Sequence, residues 1–223
     1  MRFAHADIGG ELCWSENQHI NELVIESPIF LRKILRGLAY ANNDALGVSF
    51  TENGKLMNFE KEIDVVYNPL RLDFNNRRAM TTLLKILVKT SLSEEHYFET
   101  NEFKTRVVQY LDKIVNAENF AFEVASGDFA IDNIAKAVNL HIVDDEDDFV
   151  ELLTDYMTMM SELAGIKLFV FLNLRTILLD EEMNRLIENL KNHQLNVFLV
   201  ESRLSEAIPS CERIVIDSDL CEI

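Results

Sequence analysis

The sequence has few of the residues that interrupt secondary structure or cross-link a chain. Its 223 residues include three prolines, seven glycines and three cysteines. It contains no Gly/Ser-rich linker and no low-complexity run, so we expect one large domain or two small ones. Cys13, Cys211 and Cys221 form neither a CxxC pair nor a zinc-binding pattern. We therefore expect free thiols in a reducing cytoplasm rather than a disulfide framework.

Long apolar runs are absent as well. The sequence has no uninterrupted apolar stretch of the roughly 18 residues that a transmembrane helix needs, so we expect no such helix. Residues 1–14 lack the apolar segment of a secretory signal, and we expect no signal peptide. The hydrophobic share of 48% still allows a sizeable core.

Positive charge is scarce. The formal net charge is −17, which argues against a simple basic nucleic-acid binder. The imbalance is uneven, because residues 1–116 hold 14 Lys and Arg against 16 Asp and Glu, whereas residues 117–223 hold 7 against 22. A local basic patch can therefore still bind nucleic acid. The acidic clusters, in turn, suggest a cation or a basic partner.

The motifs of nucleotide hydrolysis are missing. A phosphate-binding loop needs GxxxxGK[ST], but Gly54-Lys55 is followed by Leu56 and has no glycine at position 49. After the predicted strand ELVIES the chain runs directly into the predicted helix SPIFLRKILRGL, with no glycine loop. The later strand KLFVFLN ends in Asn173, where many ATPases have an acid that handles magnesium. We expect Asn173 to cap a turn. The sequence also lacks HExxH and GxSxG.

The hydrophobic pattern predicts strands at both ends of the chain and helices in the middle. Strands or hairpins are expected at 2–7, 11–14, 22–27, 45–59, 63–68 and 213–218, and helices at 28–40, 80–92, 103–125, 129–139 and 147–165. Residues 167–203 read as strand, helix and strand. Because LFVFL and NVFLV are continuous apolar runs, we expect parallel strands that are covered on both faces. The predicted fold class is α/β, with a head of residues 1–74 and 164–223 and an inserted helical lobe of residues 75–163.

The order of these features resembles a known family. An ATPase-like head without nucleotide motifs is interrupted by helices, and the C-terminal part reads KLFVFLN, then LLDEEMNRLIENLKNHQLNVFLVESR. This resembles the small CRISPR-associated accessory protein of type II-A systems, the ring-forming, DNA-end-binding protein of spacer acquisition. The similarity is clearest over residues 130–205, where AKAVNLHIVDD, DDFVELL and VFLVESR follow one another. It rests on the order and spacing of these segments over most of the chain.

The resemblance implies a fold and a function. The fold would be a degenerate P-loop NTPase-like head with a parallel-sheet core, plus the inserted α-helical lobe. Four chains would form a homotetrameric ring with a positively lined hole, which double-stranded DNA would enter from its ends without sequence preference. Calcium would hold the ring in its DNA-binding shape, and no nucleotide would be hydrolysed. The expected partners are the CRISPR integrase and effector nuclease.

Sequence-independent DNA binding requires Lys and Arg side chains that face phosphates. Three groups are candidates, each of which could equally be an ordinary solvated face. The first lies on the helix after Pro28, the second lies in and just before the predicted helix of residues 80–92, and the third is a single lysine in the segment that best matches the family. The candidate residues are Arg32, Lys33 and Arg36; Arg77, Arg78, Lys85 and Lys89; and Lys136.

Calcium requires six to eight oxygen ligands, largely carboxylates and carbonyls. The segment NAENFAFEVASGDFAID, residues 116–132, offers four acids around a Ser126-Gly127 break: Glu118, Glu123, Asp128 and Asp132. The family has its calcium sites in this region, but with a denser acidic run than this chain has. Asp128 could instead cap the next helix. DDEDD, residues 144–148, is a second possibility, which we interpret as an acid-rich helix N-terminus.

Three functions are therefore open at this point. A non-enzymatic DNA-end-binding ring is the leading hypothesis. A protein–protein adaptor without DNA contacts of its own fits the net charge best. A nucleotide hydrolase with an unusual loop is the least favoured.

Overall fold

The computed structural model describes residues 1–40, 47–117, 129–143, 146–209 and 211–223. The chain divides into two compact units, of which unit 1 contains residues 1–74 and 144–223 and unit 2 contains residues 75–143. No helix in these described ranges is both long and apolar enough to cross a membrane.

Unit 1 is built on a five-stranded sheet in the order β6-β7-β8-β3-β9, in which every neighbouring pair is parallel. Its strands are β3 (Ile20–Ile25), β6 (Ile63–Val66), β7 (Leu168–Leu172), β8 (Val197–Glu201) and β9 (Glu212–Ile216). Every residue of β3 and β8 is buried. The prediction of parallel strands covered on both faces is confirmed, and the last strand lies at the sheet edge as expected.

A second, antiparallel sheet has the order β2-β1-β4-β5. Its strands are β1 (Arg2–His5), β2 (Leu12–Cys13), β4 (Val48–Glu52) and β5 (Lys55–Leu56). Asn53 and Gly54 join β4 to β5 with φ values of 51° and 75°. Asn-Gly accepts two left-handed positions in succession, so the predicted hairpin forms here.

The core of unit 1 contains an aromatic cluster with side chains from both sheets. Phe3 of β1 contacts Phe198 of β8 with ring centroids 4.7 Å apart, and Phe50 and Trp14 complete the group. The Trp14 indole Nε1 donates a hydrogen bond of 3.0 Å to the carbonyl of Val197. This packing shows that the antiparallel sheet covers one face of the parallel sheet. The hydrogen bond to Val197 satisfies the one donor of the buried indole.

Helices complete both faces of the parallel sheet. On the first face, α1 (Pro28–Ala39) buries Phe30, Ile34 and Leu38 in the same core. On the other face, Tyr156 of α6 (Phe149–Met159) packs against Phe169 of β7. α7 (Asp180–His193) lies beside α6, and a short helix α2 (Phe59–Glu62) precedes β6. This layering explains the continuous apolar runs of the central strands.

The second predicted domain boundary is corrected by the contacts of α6. We assigned residues 75–163 to the helical lobe, whereas α6 belongs to unit 1, which resumes at residue 144. The reason is that α6 buries Val150, Leu153 and Met157 in unit 1. α6 continues as a π-helical turn (Met160–Ala164) and ends at Gly165 in the left-handed conformation, as predicted from the glycine.

Unit 2 is helical over its described residues. It contains α3 (Arg77–Ser91), α4 (Tyr97–Val115) and α5 (Ile131–Ala137), with α5 packed against α3. The α3 helix starts three residues before the predicted position because the Asn76 side chain accepts a hydrogen bond from the N–H of Arg78. The end of α4 was predicted at residue 125, but the helix ends at Val115. Residues 140–143 form no regular element.

We expect Leu23→Ala to lower the free energy of unfolding by about 2 to 5 kcal/mol, because it leaves a cavity at a fully buried position of β3. The matched control is Leu56→Ala, whose parent side chain is 74% exposed in the same unit and whose effect should be within about 0.5 kcal/mol. Urea unfolding followed by the emission of Trp14, the single tryptophan, measures both. Equal midpoints for the two variants would contradict the assignment of β3 to the core.

Candidate functional site

The carboxyl ends of parallel strands are where open α/β sheets usually bind ligands. In unit 1 the chain leaves β3 at Ile25 and enters α1 with Pro28 in its first turn. The Ser27 side chain makes no capping hydrogen bond. No glycine lies between β3 and α1, so this connection does not offer the cradle of backbone N–H groups that a phosphate-binding loop provides.

Asn173 joins the ends of two strands. It flanks the 3₁₀ turn Leu174–Thr176 and adopts the left-handed conformation, with φ 50° and ψ 36°. Its side-chain Oδ1 accepts a hydrogen bond of 2.9 Å from the N–H of Ser202, just beyond β8. Asn173 therefore has the turn position that we predicted. Its side chain, however, bonds the neighbouring strand end rather than the turn itself.

A buried ionic cluster lies on the α6 side of the sheet. The Glu22 carboxylate on β3 is fully buried and accepts hydrogen bonds from Arg175 and from Arg213, which stands directly opposite on β9. Both guanidinium groups also donate to the carbonyl of Glu206, each at 2.7 Å. The cluster thus ties the loop after β8 to β3, and the two guanidinium groups compensate the charge of the buried Glu22 carboxylate.

A second acid, Glu201, ends β8 and is 1% exposed. Burial, together with the charge of Glu22, raises the pKa of Glu201 to about 7. Its Oε1 accepts the backbone N–H of Arg175 at 3.2 Å, which opposes that shift. Glu201 is therefore a buried structural carboxyl, and it does not offer the exposed charge that would replace the acid missing at Asn173.

The sequence analysis did not single out these four residues. The sequence did contain a signal for the two acids, since Glu22 begins the run ELVI and Glu201 ends the run VFLVE. A charged side chain in a strand that is buried on both faces needs a partner. The sequence alone could not identify Arg175 and Arg213 as the partners of Glu22, because they lie more than 150 residues from it.

A crevice of about 300 Å³ opens at the carboxyl edge of the sheet. Its walls come from α1, the segment after β6, and the ends of β7 and β8. The lining residues are Leu31, Leu35, Tyr67, Asn68, Pro69, Leu70, Leu172, Asn173, Thr176, Ile177 and Val200. This surface is apolar, with two amides and two hydroxyl groups, and it contains no acidic side chain.

The first candidate basic group lies on α1, where its members differ in their partners. Lys33 forms an ion pair with Asp7. Arg32 and Arg36 are exposed one turn apart and have no acidic partner among the described residues. These two arginines therefore give α1 a local positive face.

The second group lies on α3, which has four cations and no acidic residue. Arg77, Lys85 and Lys89 are exposed, and none of them has an ion-pair partner in the described part of the chain. Arg78 is only partly exposed. From Arg77 to Lys89 the helix rises about 18 Å, so these charges form an extended positive surface on unit 2.

The third candidate, Lys136, comes close to the second group. Lys85 and Lys136 line the same cavity of about 430 Å³ in unit 2. Lys136 is bound to Asp132 at 2.6 Å, one helical turn away. This contact lowers the pKa of the Asp132 carboxyl, so the two charges offset each other.

The predicted calcium ligands Glu118, Glu123 and Asp128 lie outside the described residues. Asp132, the fourth, is engaged by Lys136. In the alternative acidic run, Asp148 caps α6, in line with our interpretation of this run as an acid-rich helix N-terminus. Asp148 also forms an ion pair with Arg185 at 2.9 Å. The described residues contain no group of three or more metal-ligating side chains, and calcium stays a prediction.

Comparison with known proteins identifies the family. The model of a family of CRISPR-associated proteins, Cas_Csn2, matches residues 39–220, which is most of the chain. The chain belongs to this family, and the resemblance noted in the sequence is confirmed. Its members are accessory proteins of type II-A systems, which implies a role in spacer acquisition. A search of curated proteins finds no match.

We expect the stability of the protein to fall between pH 5 and 8 because of Glu201. A carboxyl whose folded pKa is raised to about 7 binds more protons in the folded than in the unfolded state over this window, so unfolding becomes easier as the pH rises. Glu201→Gln removes this titration and can still accept the Arg175 N–H. The variant should lose about 2 kcal/mol less than the wild type between pH 5 and 8.

Urea unfolding at three pH values measures this difference. The control is Glu188→Gln, which changes the same group at an exposed position of α7. If Glu201→Gln and the wild type have parallel stability curves over pH 5 to 8, Glu201 does not titrate in this range.

Proposed function

We propose that this chain is a non-enzymatic DNA-binding protein of CRISPR spacer acquisition, which forms a homotetrameric ring and binds ends of double-stranded DNA without sequence preference. One observation carries the proposal: α3 presents Arg77, Lys85 and Lys89 to solvent and has no acidic residue. In a chain with a net charge of −17, a fifteen-residue helix of this kind is a local exception. Unpaired cations on an exposed helix are the feature that phosphate binding requires.

The overall negative charge does not oppose this function. Electrostatic attraction depends on the local field rather than on the sum of charges, and the Debye length at physiological salt is about 8 Å. Three exposed cations per chain become twelve in a tetramer. If they face a common opening, acidic residues on the outer surface would also direct DNA away from the outside.

Exposed apolar side chains on α4 support association between copies. Phe103, Tyr110, Leu111 and Ile114 recur at intervals of three, four and seven residues, and Tyr110 is 64% exposed. A row of exposed apolar side chains on one side of a helix is typical of an interaction surface. This supports the assembly on which the ring depends, and it is also compatible with a different protein partner.

The remaining parts of the proposal come from the family resemblance. They are a calcium site formed by acids in residues 116–132, the integrase and effector nuclease as partners, and a cytoplasmic location. The relationship of the head to P-loop NTPases also stays a prediction. Three features fit an ancestor that bound nucleotide and has lost that chemistry. They are the parallel sheet, the β3–α1 connection without a phosphate-binding loop, and Asn173 in place of an acid.

The second candidate function is a protein–protein adaptor. It is favoured by the net charge and by the exposed apolar side chains of α4, and it requires no DNA contact. The two functions predict opposite results with DNA, so DNA binding separates them.

The first test compares linear duplex DNA with covalently closed circular DNA of the same sequence, in calcium or in EDTA. A ring that threads ends should bind the linear form and should not retain the closed circle, and calcium should strengthen binding. Electrophoretic mobility with increasing salt measures the affinity and its salt dependence. Equal binding of both forms would contradict threading, and no binding of either form would support the adaptor.

The second test removes two of the α3 charges. Lys85→Gln with Lys89→Gln should weaken duplex binding about tenfold or more and reduce the salt dependence, because fewer counterions are released. The control, Lys55→Gln with Lys191→Gln, removes the same charge from exposed positions of unit 1. Fluorescence anisotropy with a labelled duplex measures both variants. An equal loss of affinity in the two pairs would show that α3 is not the binding face.

A further inference from the structure

The crevice at the carboxyl edge of unit 1 is not used by the proposed duplex-binding face. We propose that it binds an unpaired nucleotide at a DNA end, with the base in the crevice against Tyr67 and the phosphates on Arg32, Arg36 and Arg71. This inference rests on the proposed DNA-end binding and adds a subsite for single-stranded overhangs.

The first argument is the position of the three arginines. Arg32 and Arg36 directly follow Leu31 and Leu35, which line the crevice, and Arg71 directly follows Leu70, which also lines it. All three arginines are exposed, and none has an acidic partner within the described ranges. Arg71 is held beside the crevice because its N–H donates to the carbonyl of Asn68 at 3.0 Å. An apolar opening whose lining residues are directly followed in sequence by three exposed arginines complements a flat ligand that carries anionic groups.

The second argument is the aromatic surface. Tyr67 lines the crevice and is 49% exposed, and Tyr40, the exposed C-cap residue of α1, lies four positions after Arg36. Burial and the neighbouring Tyr40 raise the pKa of Tyr67 above its ordinary value, so the phenol stays neutral. Exposed rings that alternate with arginines are how proteins bind single-stranded nucleic acid, by stacking on bases and pairing with phosphates.

The third argument is the polar chemistry inside the crevice. The Oδ1 atoms of Asn68 and Asn173 already accept hydrogen bonds from the N–H groups of Leu70 and Ser202. Their amide NH₂ groups make no hydrogen bond to any described residue, so the lining offers donors but no carboxylate. Nucleobases present carbonyl and ring-nitrogen acceptors at their edges, whereas an acidic peptide would not explain a crevice with apolar walls.

A volume of about 300 Å³ fits one nucleotide rather than a duplex. Base pairing hides the base edges and faces, so only an unpaired nucleotide can enter. The subsite would therefore distinguish frayed or overhanging ends from blunt ends. The contribution of one stacked base is about 1 to 3 kcal/mol, which is roughly 5- to 150-fold in affinity.

The experiment uses the full chain and three labelled duplexes of equal length: blunt, with a 3′ overhang of four thymidines, and with a 5′ overhang of four thymidines. Fluorescence anisotropy should show about tenfold tighter binding of at least one overhang duplex than of the blunt one. Tyr67→Ala should abolish this gain and leave blunt-end binding unchanged. Tyr67→Phe should keep the gain, because stacking requires the ring and not the hydroxyl group.

The matched control is Tyr97→Ala, whose parent side chain is 48% exposed on unit 2 and should not affect the gain. Equal affinities for blunt and overhanging duplexes in the wild type would overturn the subsite while leaving duplex-end binding intact. An overhang gain that survives in Tyr67→Ala would also overturn it.

A second measurement decides the case in which no duplex binds and the proposed function itself fails. A single-stranded thymidine oligonucleotide that carries 5-iododeoxyuridine is irradiated with the protein, and the cross-linked peptide is identified by mass spectrometry. A cross-link at Tyr67 that excess unlabelled oligonucleotide removes would support the crevice on its own. Competition by free thymidine monophosphate at equal nucleotide concentration would instead assign the site to free nucleotides. No cross-link in residues 28–40 or 63–71 would overturn the proposal.

Discussion

The pairing of Glu22 with Arg175 and Arg213 is the constraint on which the arrangement of unit 1 depends. A fully buried carboxylate is costly unless its charge is compensated, and here the compensation comes from two distant parts of the chain. Arg175 follows β7 and Arg213 belongs to β9, so both must be in place around β3. The same two guanidinium groups hold the loop after β8 through the carbonyl of Glu206. The strand order is thereby coupled to a charge balance as well as to apolar packing.

Much of the architecture could be predicted from local signals. Apolar runs, the Asn53-Gly54 pair and Gly165 each act within a few residues, and the strands and helix ends followed them. The assignment of α6 was wrong because hydrophobic spacing shows that a helix buries one face, but not against which neighbours. The ionic cluster was missed for a similar reason, since its members lie far apart in sequence. The acids proposed for calcium, Glu118, Glu123 and Asp128, fall outside the described residues.

The basic candidates show how partners change the meaning of a charge. From the sequence alone, Lys33 and Lys136 were as good candidates for phosphate binding as Arg32 and Lys85. In the structure, however, Lys33 forms an ion pair with Asp7, and Lys136 forms one with Asp132. Among the cations without acidic partners in the described ranges, Arg32 and Arg36 lie on α1 in unit 1, and Arg77, Lys85 and Lys89 lie on α3 in unit 2. Each face borders a different kind of neighbour, since α1 adjoins an apolar crevice and α3 packs beside α5. The proposals for paired and for unpaired nucleic acid rest on these two different surroundings.

The interior position of β3, between β8 and β9, has a consequence for the biosynthesis of the protein. β3 is made early, but both of its partners, β8 and β9, lie near the other end of the sequence, after the whole of unit 2. Until residues 197–216 leave the ribosome, an apolar strand has two open hydrogen-bonding edges, which is a hazard for aggregation. Because Ile20 pairs with Val197 and Asn21 with Glu212, the contacts of β3 have a high contact order and form late. The nascent chain is therefore the state in which the edges of β3 are most open to aggregation.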